Sequence, residues 1–259
     1  MAWGDAGDSG VSPYSRLKHT PGDLKETFSI GPIDVPADEY HTCAPAQSHF
    51  AANLWPARPL EFKPIWTEYF QRMEILAGTM MRIFALALQL PEDYFEDKID
   101  RHVSALRVHN YPNQPEPPQA GQLRAGEHSD LGTFTILRHE RERRPGGLQV
   151  HTRSGEWIDV PAIADSFVIN LGDMMMRWTN DRWVSTPHRV VNPPRERALE
   201  SRRVAAAFFH ETNYDTIVEC LPSCRSSVNP PKYSPISCGE YLYERIMRFQ
   251  QGWQTQGAA

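Results

Sequence analysis

Ten histidines occur in the chain, and one of them opens a His-x-Asp triplet, His128-Ser129-Asp130. In an extended segment, residues i and i+2 point to the same face. The triplet then offers an imidazole nitrogen and a carboxylate oxygen side by side. A third ligand must come from a distant strand, and His188 in "STPHRVV" is the best placed: it follows the turn signal "TND" and leads a β-branched run. Two histidines and one carboxylate on one face of a metal leave three positions open, the pattern of non-haem Fe(II) oxygenases. Each signal also has a plainer reading. A His-x-Asp is often a surface turn, and His188 alone is an ordinary strand histidine.

Two more residues sharpen the picture. Arg203 opens the strand-like run "RVAAAFFH", fifteen residues after His188. A guanidinium there could grip a carboxylate through two parallel hydrogen bonds. A surface ion pair is the plainer alternative, and the neighbouring Arg202 fits it better. Tyr111 ends the run before "PNQ" and could add a hydroxyl to the same carboxylate, or simply be a half-buried strand tyrosine.

These residues need a rigid frame. After residue 103 the hydrophobic period is two, and eight short segments alternate with turn clusters: 104–110, 133–138, 147–151, 156–160, 166–171, 174–178, 186–191 and 203–209. Many short strands without strand–helix alternation predict a sandwich or jelly roll. Before them, Ile65, Tyr69, Met73, Leu76, Met80 and Phe84 recur at helical spacing and predict a helix over 62–88. Pro91 ends it and opens a second, short helix at "PEDYFED". Residues 1–60 read as an extended loop region on the body of a single domain, with residues 61–259 as the helix-backed β domain. Ser237 with Glu240 makes a capping box for a last helix carrying Leu242, Ile246 and Phe249.

With 259 residues, 40% of them hydrophobic, the chain can bury a real core. A net charge of −5 argues against a nucleic-acid partner. Glu74 and Arg82 interrupt the most apolar stretch, so no membrane span is expected. The start, "MAWGDAGDSG", shows no signal peptide. Cys43, Cys220, Cys224 and Cys238 are too few for a disulfide framework and read as reduced cytoplasmic thiols. The Cys220-x3-Cys224 pair is a minor alternative metal grip. No protein partner is evident.

The run "GEHSDLGTFTIL…GGLQV…W.DV…FVINLGDMMMRWTNDRWVSTPHRVVNPP…RRVAAAFFHETNYD" resembles the iron- and 2-oxoglutarate-dependent dioxygenases of the isopenicillin N synthase-like superfamily. The likeness spans roughly residues 23–225. It implies a mainly β fold, a double-stranded β-helix (jelly roll) core backed by a long helix. It implies Fe(II) on His128, Asp130 and His188. Arg203 would bind the distal carboxylate of 2-oxoglutarate, with Tyr111 assisting and Asn170 on a pocket-facing strand. The reaction would consume O2 and 2-oxoglutarate, release succinate and CO2, and oxidise a small-molecule substrate. Hydroxylation is the default, and desaturation or ring chemistry uses the same machinery.

Two features depart from the family pattern. The family usually reads Arg-x-Ser, and here Ala205 stands in the serine's place, which removes one hydroxyl donor to 2-oxoglutarate. Family members usually carry an N-terminal helix-and-strand segment before "DLKETFSIGP", and this chain begins too close to that motif for the segment to be expected in it. Two rival readings remain: oxidation without 2-oxoglutarate, which Ala205 favours, and a non-catalytic jelly-roll binding module. For substrate contacts, Met176 and Trp178 on the segment 174–178 are the nominees as an apolar wall, with plain packing as the alternative.

Overall fold

The computed structural model describes residues 21–139 and 147–245. Along the chain run β1 (Glu26–Ile30), α1 (Glu39–Thr42), α2 (Phe62–Ala87), α3 (Glu96–Ile99), β2 (Ala105–Tyr111), β3 (Ala125–His128), β4 (Phe134–His139) and β5 (Leu148–His151). Then follow β6 (Trp157–Asp159), β7 (Phe167–Leu171), α4 (Asp173–Trp178), β8 (His188–Val190), β9 (Arg203–His210), β10 (Ile217–Val218) and β11 (Ile236–Ser237). Two antiparallel sheets carry the fold: a five-stranded one in the order β1-β2-β9-β4-β7 and a four-stranded one in the order β3-β8-β5-β6. None of the described helices is long and apolar enough to cross a membrane.

The pleat gives each strand of the larger sheet two jobs. On β9, Arg203, Ala205 and Ala207 face the smaller sheet, while Phe208 faces α2. Between the sheets lie Tyr111, Ala125, Leu148, Val190 and Ala205, with Leu137, Val160 and Val168 packed around them. On the other side, the Phe70 ring meets Phe208 edge-on at 5.3 Å. The buried face of α2 is Phe70, Met73, Ala77, Met81 and Ala85. That face is rotated from the expected stripe: Ile65 is 62% exposed. Ala77 and Ala85 explain the rotation, because small side chains let the helix backbone approach the sheet.

Three other expectations change. Residues 174–178 are helical: they lie in α4 rather than in a strand. Asp173 stands in the first turn, and methionines are good helix formers. The amides of Asp173 and Met174, which no intrahelical carbonyl can serve, bond to the carbonyls of Asp130 (2.8 Å), Leu131 (3.1 Å) and Gly132 (3.0 Å). Within the 1–60 region, β1 is a regular strand, paired with β2 from Glu26↔Asn110 to Ile30↔Leu106. The short second helix forms later than Pro91: residues 92–95 of "PEDYFED" are turns, and α3 begins at Glu96 within it.

At the C-terminal end the capping box forms. Glu240 N donates to Ser237 Oγ, and Ser237 N donates to Glu240 Oε2, both at 3.2 Å. Ile246 and Phe249, expected on that helix, lie outside the described residues.

Phe208 is fully buried where α2 meets the sheet. Phe208→Ala should cost about 3–5 kcal/mol of stability, read as a lower denaturant midpoint at unchanged slope.

Candidate metal centre

Three side chains from two distant parts of the sequence meet between the sheets. One ligand atom from each of His128, Asp130 and His188 lies within 4.8 Å of the others, and these form the one such His/Cys/Asp/Glu group among the described residues. The topology explains the meeting. His128 on β3 and His188 on β8 are register partners in an antiparallel pair, and their rings sit 4.2 Å apart. Asp130 follows two residues after β3 ends. Its Oδ1 lies 3.9 Å from His128 Nε2 and 3.7 Å from His188 Nε2. Cys220 and Cys224 are buried free thiols outside this group.

Hydrogen bonds set the protonation each ligand needs. His128 Nδ1 donates to the Gly126 carbonyl at 2.8 Å, and His188 Nδ1 to the Thr186 carbonyl at 3.0 Å. A carbonyl can only accept, so each Nδ1 carries a proton, and a ring with no second proton presents its Nε2 lone pair toward Asp130. Burial, and then the nearby His188, push His128 down to about 3, so it is neutral at pH 7. Asp130 is 4% exposed. Burial works to raise its pKa, but His188, His128 and two hydrogen bonds outweigh it and hold the carboxyl below its ordinary value. Those bonds come from Thr135 Oγ1 (2.5 Å) and Asn170 Nδ2 (2.7 Å), both to Oδ2, which leaves Oδ1 for a cation. Two imidazoles and one anchored carboxylate fit a divalent iron with open positions.

Asn170, on the inward face of β7, works on Asp130 through this bond. Thr135, which sequence reading missed, does the same from β4. Strand alternation puts 135 on the inward face with 137 and 139, but its neighbour there is set by register.

Backbone contacts hold the Asp130 loop. A Cβ on Gly172 would strike the Gly132 carbonyl and come within 3.1 Å of the Asp130 carbonyl. A Cβ on Gly132 would lie 2.5 Å from the His210 carbonyl and 2.7 Å from Glu211 Oε1. Under this loop Glu211 is buried, and burial, then Asp130 and Asp173, push its carboxyl up to about 8.

The second half of the site lies on β2, β4 and β9. Arg203 is 7% exposed, and its guanidinium stands 5.1 Å from the centre of the Tyr111 ring. Arg203 Nη2 donates to His139 Nδ1 at 3.1 Å. Ala205 lies on the same face as Arg203, directly across the β4–β9 ladder from His139. Arg124, fully buried, holds Ser201 Oγ (2.7 Å) and the Pro112 carbonyl (3.1 Å); burial and then Arg203 lower its pKa to about 10. Trp178 is not at this site. It is 1% exposed in the core beneath α4, with its ring 4.9 Å from Phe95, and Met176 sits on the same helix. Trp178 is thus a packing residue, the plainer of its two readings, and Met176 stands on a helix rather than on a strand.

Three outcomes follow from this geometry. His128→Ala, Asp130→Ala and His188→Ala should each abolish Fe(II) retention, while His102→Ala and His151→Ala keep it, as read by elemental analysis. Thr135→Val or Asn170→Leu should weaken metal affinity by about 10–100-fold, since each frees an oxygen of Asp130 to turn away. Glu211 gives a pH signature. Its folded pKa lies above its unfolded value near 4.3, so its stabilising contribution is complete below that value and is lost as pH rises through about 8. Glu211→Gln should gain stability relative to wild type between roughly pH 5 and pH 8. Equal denaturation midpoints across that range would overturn the assignment.

The comparisons with known proteins agree with this geometry. Residues 102–212 match the model of the 2OG-Fe(II) oxygenase superfamily. A 2-oxoglutarate-Fe(II) type oxidoreductase, hxnY of Emericella nidulans, is 34% identical over 224 residues, which cover 84% of this chain and 61% of that protein. The chain spans about three fifths of the length of such curated relatives. A full-length Neurospora crassa protein, solved with alpha-KG and 5-formyluracil, superposes with a TM-score of 0.76 at 32% identity, covering 89% of this chain and 71% of that one. A Caulobacter crescentus structure assigned to the 2OG-Fe(II) oxygenase family superposes with a TM-score of 0.79 at 30% identity, covering 96% and 76%. With its buried two-histidine, one-carboxylate centre, the chain belongs to the 2OG-Fe(II) oxygenase superfamily.

Proposed function

We propose that this protein is an Fe(II)- and 2-oxoglutarate-dependent oxygenase that oxidises, by default hydroxylates, a small organic substrate and releases succinate and CO2. Its fold in this reading is a jelly roll with α2 against the outer face of the larger sheet. One observation carries the proposal: a divalent-metal triad and a buried, carboxylate-seeking Arg203 share the space between the same two sheets. Fe(II) on the triad would supply O2 activation and hydrogen abstraction from an unactivated C–H bond. The chain's own groups do the rest. His128, Asp130 and His188 hold the metal. Arg203 binds the far carboxylate of 2-oxoglutarate, with the Tyr111 ring over its guanidinium. Leu137, Leu148, Val168 and Val190 keep the space dry. The four free cysteines are in keeping with a reducing, cytoplasmic setting.

The substrate side carries a charge cue. Register pairing of β1 with β2 sets Thr27 opposite His109 and Ser29 opposite Arg107, on the face that also holds Tyr111. Thr27 Oγ1 bonds His109 Nδ1 at 3.0 Å, and Arg107 Nε donates to Ser29 Oγ at 2.9 Å. Lys25 is neutralised by Asp23 at 2.8 Å. Arg107 has no carboxylate at ion-pair distance among the described residues, and its guanidinium lies 5.4 Å from the Phe209 ring centre. Burial, then Lys25, Arg107, His128 and Arg203, hold His109 neutral, well below the usual histidine value. Arg107 is thus the cation of this strip without a carboxylate partner among the described residues, and it favours a substrate bearing a carboxylate.

Succinate formation with Fe(II), 2-oxoglutarate and a metabolite pool tests the reaction. Arg203→Ala should raise the 2-oxoglutarate KM at least about tenfold, and lysine should restore it only in part because it lacks the planar fork. Oxygen uptake with substrate alone would instead select oxidation without 2-oxoglutarate. Binding with no uptake at all would select the non-catalytic module. For the substrate class, turnover should be confined to acids, with Arg107→Gln raising their KM. Neutral substrates turned over equally by wild type and Arg107→Gln would overturn that assignment.

A further inference from the structure

The serine missing at position 205 removes one hand from the grip on 2-oxoglutarate, and the neighbouring strand supplies another. His139 ends β4 directly opposite Ala205. Directly opposed residues of an antiparallel pair share a face, with Cβ atoms about 4.5–5.5 Å apart. The imidazole therefore stands over the methyl group of Ala205, where a larger residue would crowd it. Arg203 Nη2 lies 3.1 Å from His139 Nδ1. A guanidinium can only donate, so Nδ1 is the acceptor, and in the neutral ring the proton must sit on Nε2. The ring is neutral at pH 7, because burial and then the Arg203 charge push it down to about 4.

Two buried donors then lie on adjoining side chains. His139 Nε2 and Arg203 Nη1 are both shut off from solvent, and neither has a hydrogen-bond partner among the described residues. Buried polar atoms are rarely left so. Both are N–H groups, and no carboxylate among the described residues lies at ion-pair distance from Arg203. Such a pair of donors suits an anion with two acceptor oxygens.

We propose that His139 binds the cosubstrate: its Nε2–H donates to the distal carboxylate of 2-oxoglutarate beside Arg203 Nη1, in the role the family gives to the serine two residues after the arginine. Arg203 orients the imidazole through Nδ1, so the two side chains act as one clamp. Ala205 is then an accommodation to His139, which already fills the place of the missing hydroxyl. This inference rests on the reading of Arg203 as the 2-oxoglutarate anchor.

The test is anaerobic titration of the Mn(II)-loaded full chain, following bound 2-oxoglutarate directly. His139→Ala should weaken 2-oxoglutarate binding by between about ten- and a hundredfold, the range for a hydrogen bond to a charged group. Pyruvate, which shares the 2-oxo acid end and lacks the distal carboxylate, should bind His139→Ala and wild type alike. A general structural defect would weaken both ligands, which would count against the proposal. Ala205→Ser alone should not tighten binding, whereas Ala205→Ser added to His139→Ala should recover most of the loss. If Arg203→Ala weakens 2-oxoglutarate binding while His139→Ala leaves it unchanged, the His139 assignment falls and the cosubstrate reading stands. If Arg203→Ala also binds 2-oxoglutarate as wild type does, the cosubstrate reading itself falls.

Discussion

The site depends on keeping one carboxylate ionised inside the protein. Asp130 is nearly sealed from water, and a bare buried carboxylate would take up a proton instead. Thr135 from β4 and Asn170 from β7 prevent this by donating to Oδ2, while the two imidazoles face Oδ1. The histidines come from the smaller sheet and the two donors from the larger one. Each sheet therefore supplies what the other lacks, and the packing between them sets the metal site. The two glycines at 132 and 172 make this possible, since side chains there would force apart the backbones that bring the loop to the sheet.

Burial sorts the polar groups of the interior into two sets. His128, His109 and His139 are all held neutral, so each works through a lone pair or an N–H rather than a charge. Arg203 and Arg107 set guanidinium forks among them, each shaped for a carboxylate. The interior thus presents lone pairs to a cation at one place and cationic forks to anions at others.

Much of this was legible in the sequence, and the failures have physical causes. The His128-x-Asp130 spacing and the β-branched context of His188 pointed to the triad, because ligand chemistry limits residue type and strand geometry limits spacing. Seven of the eight expected strands have counterparts. The eighth, 174–178, was misread because a short apolar run suits a buried helix as well as a strand, and what decides is a tertiary contact: the ligand-loop carbonyls that receive its first amides. The stripe on α2 was rotated because Ala77 and Ala85 count little in a hydrophobic pattern yet govern how closely a helix can approach. Thr135 and His139 were overlooked since each acquires its role only from a cross-strand neighbour, and register is not written in local sequence.

The bonds from the first turn of α4 to the carbonyls of the Asp130 loop have a dynamic consequence. The amides of Asp173 and Met174 can exchange with solvent deuterium only when the helix start parts from that loop. A cation on Asp130 favours the closed arrangement and lowers the population of the open one. Metal occupancy is thereby recorded in the exchange rates of two backbone amides that never touch the ion. The same linkage makes the start of α4 the first place where loss of metal would loosen the backbone, well before the sheets themselves come apart.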